Sequence, residues 1–194
     1  MNKFTYIKEH SLVYITDYPF SSALKKSLVD ELEKEKDVID RESNVKATMT
    51  SWNYAPNNPY IIQFKKWILN EIKNFYNEGC FDPNFKFEPY FFNFWGNIYR
   101  KGDHTVTHNH FPSFFSISYF LKTKWYHSPF IFTNSKRKIR PKEGRIIIFP
   151  AHMYHHVPIH RFNDTRITLA GNVDLKGKGP LGGMSDHRVY QELK

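Results

Sequence analysis

The 194-residue chain has one cysteine, Cys80, so no internal disulfide can form. This excludes a disulfide-stapled secreted scaffold and fits a reducing, cytoplasmic compartment. No apolar run approaches the roughly 18 residues of a membrane helix. The opening stretch, MNKFTYIKEHSLVY, is broken by Lys3, Lys8, Glu9 and His10, which leaves no signal-peptide core. There is no Gly-rich phosphate loop, no Cys cluster, no Ser-His-Asp order and no internal repeat. Acid is also scarce, with 19 Asp and Glu against 28 Lys and Arg. From Arg100 to Arg145 ten Lys and Arg face only Asp103 and Glu143. Spread evenly such a surplus aids solubility; concentrated on one surface it suggests a polyanionic partner, with residues 136–145 as the densest part.

What is abundant is aromatic. The chain carries 18 Phe, 12 Tyr and 4 Trp, together with 10 His, a composition suited to a sheet sandwich or barrel around a lined cavity. Residues 1–20 read as one or two edge strands. Residues 22–37 space Leu24, Leu28 and Leu32 four apart, predicting an amphipathic helix capped by Ser21 or Ser22. Residues 44–59, with Pro56, Asn57, Asn58 and Pro59, read as a loop. A second helix over 59–77 lines up Ile61, Phe64, Ile68, Ile72 and Phe75 and ends before Gly79. Strand-like runs then recur at 86–100, 104–110, 114–122, 129–133, 144–149, 155–159 and 165–174. The expected fold is mainly β with two N-terminal helices, a single domain over 1–194. Helical support occupies about 20–80, the β core about 85–174 and a Gly-rich C-terminal arm 175–194.

The chemistry concentrates in two segments. In a strand, His108 and His110 project from one face, two imidazoles that can form two corners of a metal site. After the apolar run 145–149 the chain turns at Pro150 and re-enters near His155. His152 sits in the turn, and His155 and His156 face opposite ways, so one of the pair can supply a third corner. Eleven residues beyond His155, alternation puts Arg166, Thr168, Ala170 and Asn172 on one face. An inward Arg on an apolar strand is costly unless it meets an anion, and its planar fork fits a carboxylate.

The order His-x-His, distal His, then Arg on the next strand resembles the Fe(II)/2-oxoglutarate-dependent oxygenases. Asn97-x-Tyr99-x-x-Gly102 is similar to the lead-in of that superfamily's nucleic-acid demethylases. Phe115–Tyr119 and Ile148–Pro158 resemble most closely an uncharacterised marine bacterial and phage group, whose likeness implies no substrate. The resemblance covers about residues 90–173. It implies a double-stranded β-helix (jelly roll) and hydroxylation or demethylation of a substrate C–H bond, with O2 as oxidant and succinate and CO2 as co-products. It further implies Fe(II) on His108 and His155, and 2-oxoglutarate held by Arg166 with Asn97, Tyr99 and Thr168 as further contacts; strand alternation beside His108 makes His110 the expected third iron ligand. Tyr119, Trp95 and Trp125 are candidate walls. His110 stands where most of the superfamily has Asp or Glu, so Asp103 is an alternative third ligand. The substrate is open: a protein side chain, a nucleic acid or a small molecule.

Two other readings compete. Gly102 with His-x-His110, and Gly144 with Pro150 and His155, also match the two halves of the cupin pattern. The cupin Glu is replaced by Phe114 and Phe115, however, and a cupin has no need of Arg166. A non-catalytic nucleic-acid-binding module would use Lys136-Arg-Lys-Ile-Arg-Pro-Lys142 and Arg145, with Trp125, Tyr126 and Phe132 to stack on bases.

Overall fold

A computed structural model describes residues 11–35, 43–77 and 87–177. Eleven strands and two helices appear in these segments: β1 (Tyr14–Asp17), α1 (Ser21–Lys34), β2 (Val45–Lys46), β3 (Thr48–Met49), α2 (Pro59–Asn77), β4 (Phe87–Tyr99), β5 (His104–His108), β6 (Phe115–Lys122), β7 (Phe130–Phe132), β8 (Arg137–Ile139), β9 (Arg145–Pro150), β10 (His155–Val157) and β11 (Arg166–Gly177). They form two antiparallel sheets. The major sheet runs β1-β9-β6-β11-β4-β3 and the minor sheet β2-β5-β10-β7-β8, the facing-sheet arrangement of a jelly roll with helices on one side.

Period-two alternation gives the major sheet two apolar faces. Ile98, Ile146, Ile148, Ile167, Leu169 and Val173 point to the helices and are fully buried. There they meet Leu24, Leu28 and Leu32 of α1 and Ile61, Phe64, Ile68 and Ile72 of α2, the helical stripes that the spacing predicts. Each such side chain contributes about 1.5–3 kcal/mol by leaving water. The other face, with Trp95, Tyr99, Phe120, Ile147, Phe149 and Ala170, looks at the minor sheet. Gly171 sits where a Cβ would lie 2.9 Å from the Asn93 carbonyl oxygen, so the close β11–β4 approach requires glycine.

Several local expectations are corrected. The N-cap of α1 is Phe20, without a side-chain cap, rather than Ser21 or Ser22. Its far end is tied down by Arg100, whose Nη2 donates to the carbonyls of Glu33 (3.2 Å) and Glu35 (2.7 Å). For α2, Asn58 caps through Oδ1, which accepts from the N–H groups of Tyr60 and Ile61. The loop expected over 44–59 contains β2 and β3, each two residues long and too short to show a period. The basic run holds an unforeseen edge strand, β8. The strand expected over 104–110 ends at His108. The proposed arm begins as the last residues of β11; residues 178–194, Cys80 and the side chain of Phe75 lie outside the described segments. None of the described helices is long and apolar enough to cross a membrane.

Candidate metal and anion site

His108 and His155 stand directly opposite one another on β5 and β10. His110 lies just beyond the end of β5, and a turn rather than strand alternation places it. Its N–H donates to the Ala151 carbonyl (2.8 Å), and its own carbonyl accepts from Ser113 N–H (3.1 Å). The three rings converge, with centroids 4.3 Å apart for His108–His155, 4.8 Å for His108–His110 and 5.1 Å for His110–His155. One donor nitrogen from each lies within 4.8 Å of the others.

The tautomers follow from the hydrogen bonds. Nδ1 of His108 lies 2.9 Å from the Val106 carbonyl, and Nδ1 of His155 lies 2.9 Å from the Met153 carbonyl. A carbonyl only accepts, so each Nδ1 carries the proton and each Nε2 keeps its lone pair. Burial also keeps these rings neutral. It lowers the pKa of His108, pushes His110 down to about 3 with help from the neighbouring His108, and holds His155 well below 6.5. Phe130 stacks on the His155 ring at 4.9 Å and Phe149 meets it edge-on at 5.0 Å, fixing its plane. Three neutral nitrogen donors form a set suited to Fe, Ni, Zn or Cu.

The same cavity, about 410 Å³ including its mouth, reaches Arg166, Asn97, Tyr99 and Thr168. Arg166 is the largest fully buried side chain, at 1% exposure. Its guanidinium lies over the rings of Tyr99 (4.7 Å) and Phe120 (5.4 Å), yet Nε and Nη1 have no hydrogen-bond partner. Desolvation lowers its pKa, and no carboxylate among the described residues pairs with it. A buried cation with idle donors is costly unless an anion joins it. Around it Trp95 Nε1 donates to Asn97 Oδ1 (3.0 Å), Asn97 Nδ2 to Thr168 Oγ1 (3.5 Å), and the Tyr99 and Thr105 hydroxyls bond at 2.7 Å. The cavity thus offers a cation site of three imidazoles and, deeper, one guanidinium for an anion.

Not every candidate arrives there. Tyr119 faces the helices and packs on Phe64 at 4.6 Å, because alternation along β6 turns its neighbour Ser118 to the cavity instead. Trp125 is 77% exposed, so of the proposed walls only Trp95 lines the cavity. Asp103 lies in the turn before β5, where its Oδ2 accepts from Arg100 N–H at 2.7 Å, and it is not among the converging ligands. His152 is exposed in its turn, and His156 faces away and bonds Thr133 Oγ1 at 2.9 Å. Phe130, Phe149 and Thr105 were missed as lining residues, although alternation on β7 and β9 would have identified the two rings. Val45 comes from a two-residue strand that offers no such signal.

A second cluster, His127, His160 and Asp164, also converges within 4.8 Å, but its protons are arranged differently. Nδ1 of His127 accepts from the backbone N–H of Lys124 (3.2 Å), so Nε2 carries the proton and donates to Asp164 (3.3 Å). Asp164 also binds Lys124 Nζ at 2.8 Å and the Tyr126 hydroxyl at 3.0 Å. In this loop clasp both His127 nitrogens and the Asp164 carboxylate are already engaged and only His160 Nδ1 is without a partner, whereas the first cluster presents the Nε2 lone pairs of His108 and His155 together.

No family model and no curated protein matches the sequence. Solved structures do share the fold. The viral collagen prolyl hydroxylase vCPH of Paramecium Bursaria Chlorella virus-1, in its 2OG complex, superposes with a TM-score of 0.61 at 17% identity, over 83% of this chain and 94% of that one. A Pseudomonas putida prolyl-4-hydroxylase gives 0.64 at 15% identity, over 84% and 91%. HygX from Streptomyces hygroscopicus, with nickel and 2-oxoglutarate bound, gives 0.61 at 9% identity, over 84% and 82%. The fold is therefore that of 2-oxoglutarate–Fe(II) oxygenases. These matches do not single out the marine bacterial and phage group.

Proposed function

We propose that the chain is an Fe(II)- and 2-oxoglutarate-dependent oxygenase that hydroxylates, or by hydroxylation demethylates, a substrate C–H bond. His108, His110 and His155 would hold the iron, and Arg166 the distal carboxylate of 2-oxoglutarate, flanked by Asn97, Tyr99 and Thr168. When bound, the iron supplies O2 activation, coupling decarboxylation of 2-oxoglutarate to succinate and CO2 with substrate oxidation. The protein's own work is positional. Backbone carbonyls fix two imidazole tautomers, Phe130 and Phe149 hold His155 in plane, and the apolar walls keep water from the Arg166 end.

The observation that carries this reading is Arg166, a wholly buried guanidinium with two idle nitrogens in the cavity that holds the histidine triad. A cupin using the same three histidines would have no use for it. Anaerobic reconstitution with Fe(II), followed by succinate measurement in the presence of O2 and 2-oxoglutarate, is the test. About one iron per chain and slow succinate release without added substrate are expected, with iron lost in the His108→Ala/His155→Ala double variant. Iron uptake that survives both substitutions would remove the site; iron uptake without 2-oxoglutarate consumption would favour the cupin.

A further inference from the structure

Three loops gather around His110, which lines the cavity beyond the end of β5, and form a rim there. Residues 109–114 follow β5, 133–136 join β7 to β8, and 151–154 join β9 to β10. Backbone bonds tie them together: His110 N–H to Ala151 O (2.8 Å), Ala151 N–H to Phe114 O (2.9 Å) and Thr133 N–H to Tyr154 O (2.8 Å). The rim exposes aromatic side chains that a folded core would normally claim. Phe111 is 74% exposed, Phe114 and Tyr154 are exposed as well, and Trp52, from the segment between β3 and α2, adds a further exposed ring. Trp52 packs edge-on against Trp95 at 4.7 Å, and Trp95 lies 5.9 Å from the His110 ring, so aromatic surface runs continuously from solvent to the triad.

The rim is also positively charged. Residues 109–114, 133–137 and 151–154 contain Lys136 and Arg137 but no Asp or Glu, and the carboxylate bonded to them, Asp174 on Phe114 N–H (3.2 Å), is buried. Cross-strand register places Arg137 opposite Phe132, and Phe132 opposite His155. Arg137 therefore stands two strands from a triad residue, roughly 10 Å away, and on the same side of the sheet. Neighbouring cations are already neutralised: Lys142 and Arg145 by Asp17, Lys124 by Asp164, Lys122 by Glu33. Among the described residues Lys136, Arg137, Lys138 and Arg140 make no ion pair, so unneutralised charge gathers on β8 and the residues flanking it. Cations on an edge strand also deter sheet-to-sheet aggregation, but that role needs no ring of exposed aromatics beside them.

We propose that this rim binds single-stranded nucleic acid, with bases stacked on Phe111, Tyr154 and Trp52 and phosphates held by Lys136 and Arg137, so that one nucleotide is presented to the triad. The presentation rests on the oxygenase reading; the binding does not. The module imagined from sequence is thereby relocated. Phe132 is buried, Tyr126 is held by Asp164, and Trp125 belongs to the loop at the opposite end, so none of the three serves.

The test is fluorescence anisotropy with labelled 12-nucleotide single strands of DNA and RNA, the corresponding duplex, and poly-glutamate, across a salt series. Expected are tighter binding of single strands than of duplex or poly-glutamate, and a loss of about tenfold or more for Lys136→Gln/Arg137→Gln with a salt slope shallower by roughly 1.4. Phe111→Ala should weaken binding about five- to tenfold and leave the salt slope unchanged. No binding at low salt, equal binding of poly-glutamate, or indifference to both variants would overturn the proposal. Succinate release measured in parallel separates the two readings. Strand binding without 2-oxoglutarate turnover supports the rim and defeats the oxygenase, and turnover without strand binding does the reverse.

Discussion

On the proposed oxygenase reading His110 would stand where a carboxylate is usual, and the turn that aims it would make it a third neutral donor instead. His110→Ala, leaving two donors, should weaken Fe(II) affinity by at least ~10-fold. His110→Asp adds a negative charge beside the metal and should bind it at least as tightly as the native chain, as read by equilibrium metal competition. Burial sets a pH consequence for the metal-free chain. The triad histidines and His127 all have folded-state pKa values below the ordinary 6.5. As pH falls below 6.5 the unfolded chain takes up protons that the folded chain refuses, so folded stability drops. Each such group contributes at most about 1.4 kcal/mol per pH unit until its folded pKa is reached. Carboxylates depressed by ion pairs, such as Glu33, add their own loss only below about 4.5. Chelator-treated protein should therefore lose Tm between pH 6.5 and 4.5, and His110→Gln should lose less over the same interval. A flat profile there would mean that these rings are solvated.

The strands account for most of what could be read in advance, and for what could not. β11 was legible because Arg166, Thr168 and Ala170 alternate with Ile167 and Leu169 over a long, regular run, and both helices were legible from their fourfold Leu and Ile spacing. His110 converges on His108 and His155, but not by the route that alternation suggests. Alternation put His110 beside His108, but β5 stops at His108 and the backbone bond to Ala151 does the aiming. Tyr119 was misplaced because no periodicity says which of two apolar faces meets the helices. β2, β3 and β8 are two or three residues long, held by pairing with distant strands, and local sequence carries no trace of that. Tight β11–β4 contact supplies a test at this level. Gly171→Ala must push the Asn93 carbonyl or the rings of Phe91 and Phe94, which a Cβ would approach at 2.9–3.1 Å. A loss of about 1–3 kcal/mol in denaturant unfolding is expected, and no loss would mean that the β4 bulge beside Phe92 relaxes freely.

Taken together, the chain has two apolar layers with different duties. The layer between helices and major sheet is predominantly hydrophobic, with the hydroxyls of Tyr54 and Tyr119 among its few polar atoms, and holds the fold, and the layer between the sheets gives up part of its packing to a polar cavity. Arg166 is where that concession is largest. Without an anion, a desolvated guanidinium offset by the faces of Tyr99 and Phe120 and the Tyr99 hydroxyl, with two nitrogens idle, costs the fold several kcal/mol. Replacing it with an apolar chain of similar length should therefore stabilise the ligand-free protein while destroying the anion site. The decisive comparison is Arg166→Met against the native chain, with Tm measured on the metal-free proteins and 2-oxoglutarate binding titrated on the Ni(II)-loaded ones. A Tm increase worth about 1–4 kcal/mol, with 2-oxoglutarate affinity reduced at least ~30-fold and Ni(II) retained, is the expected result. A lower Tm with unchanged 2-oxoglutarate binding would show Arg166 to be a structural cation and contradict the proposed chemistry of the cavity.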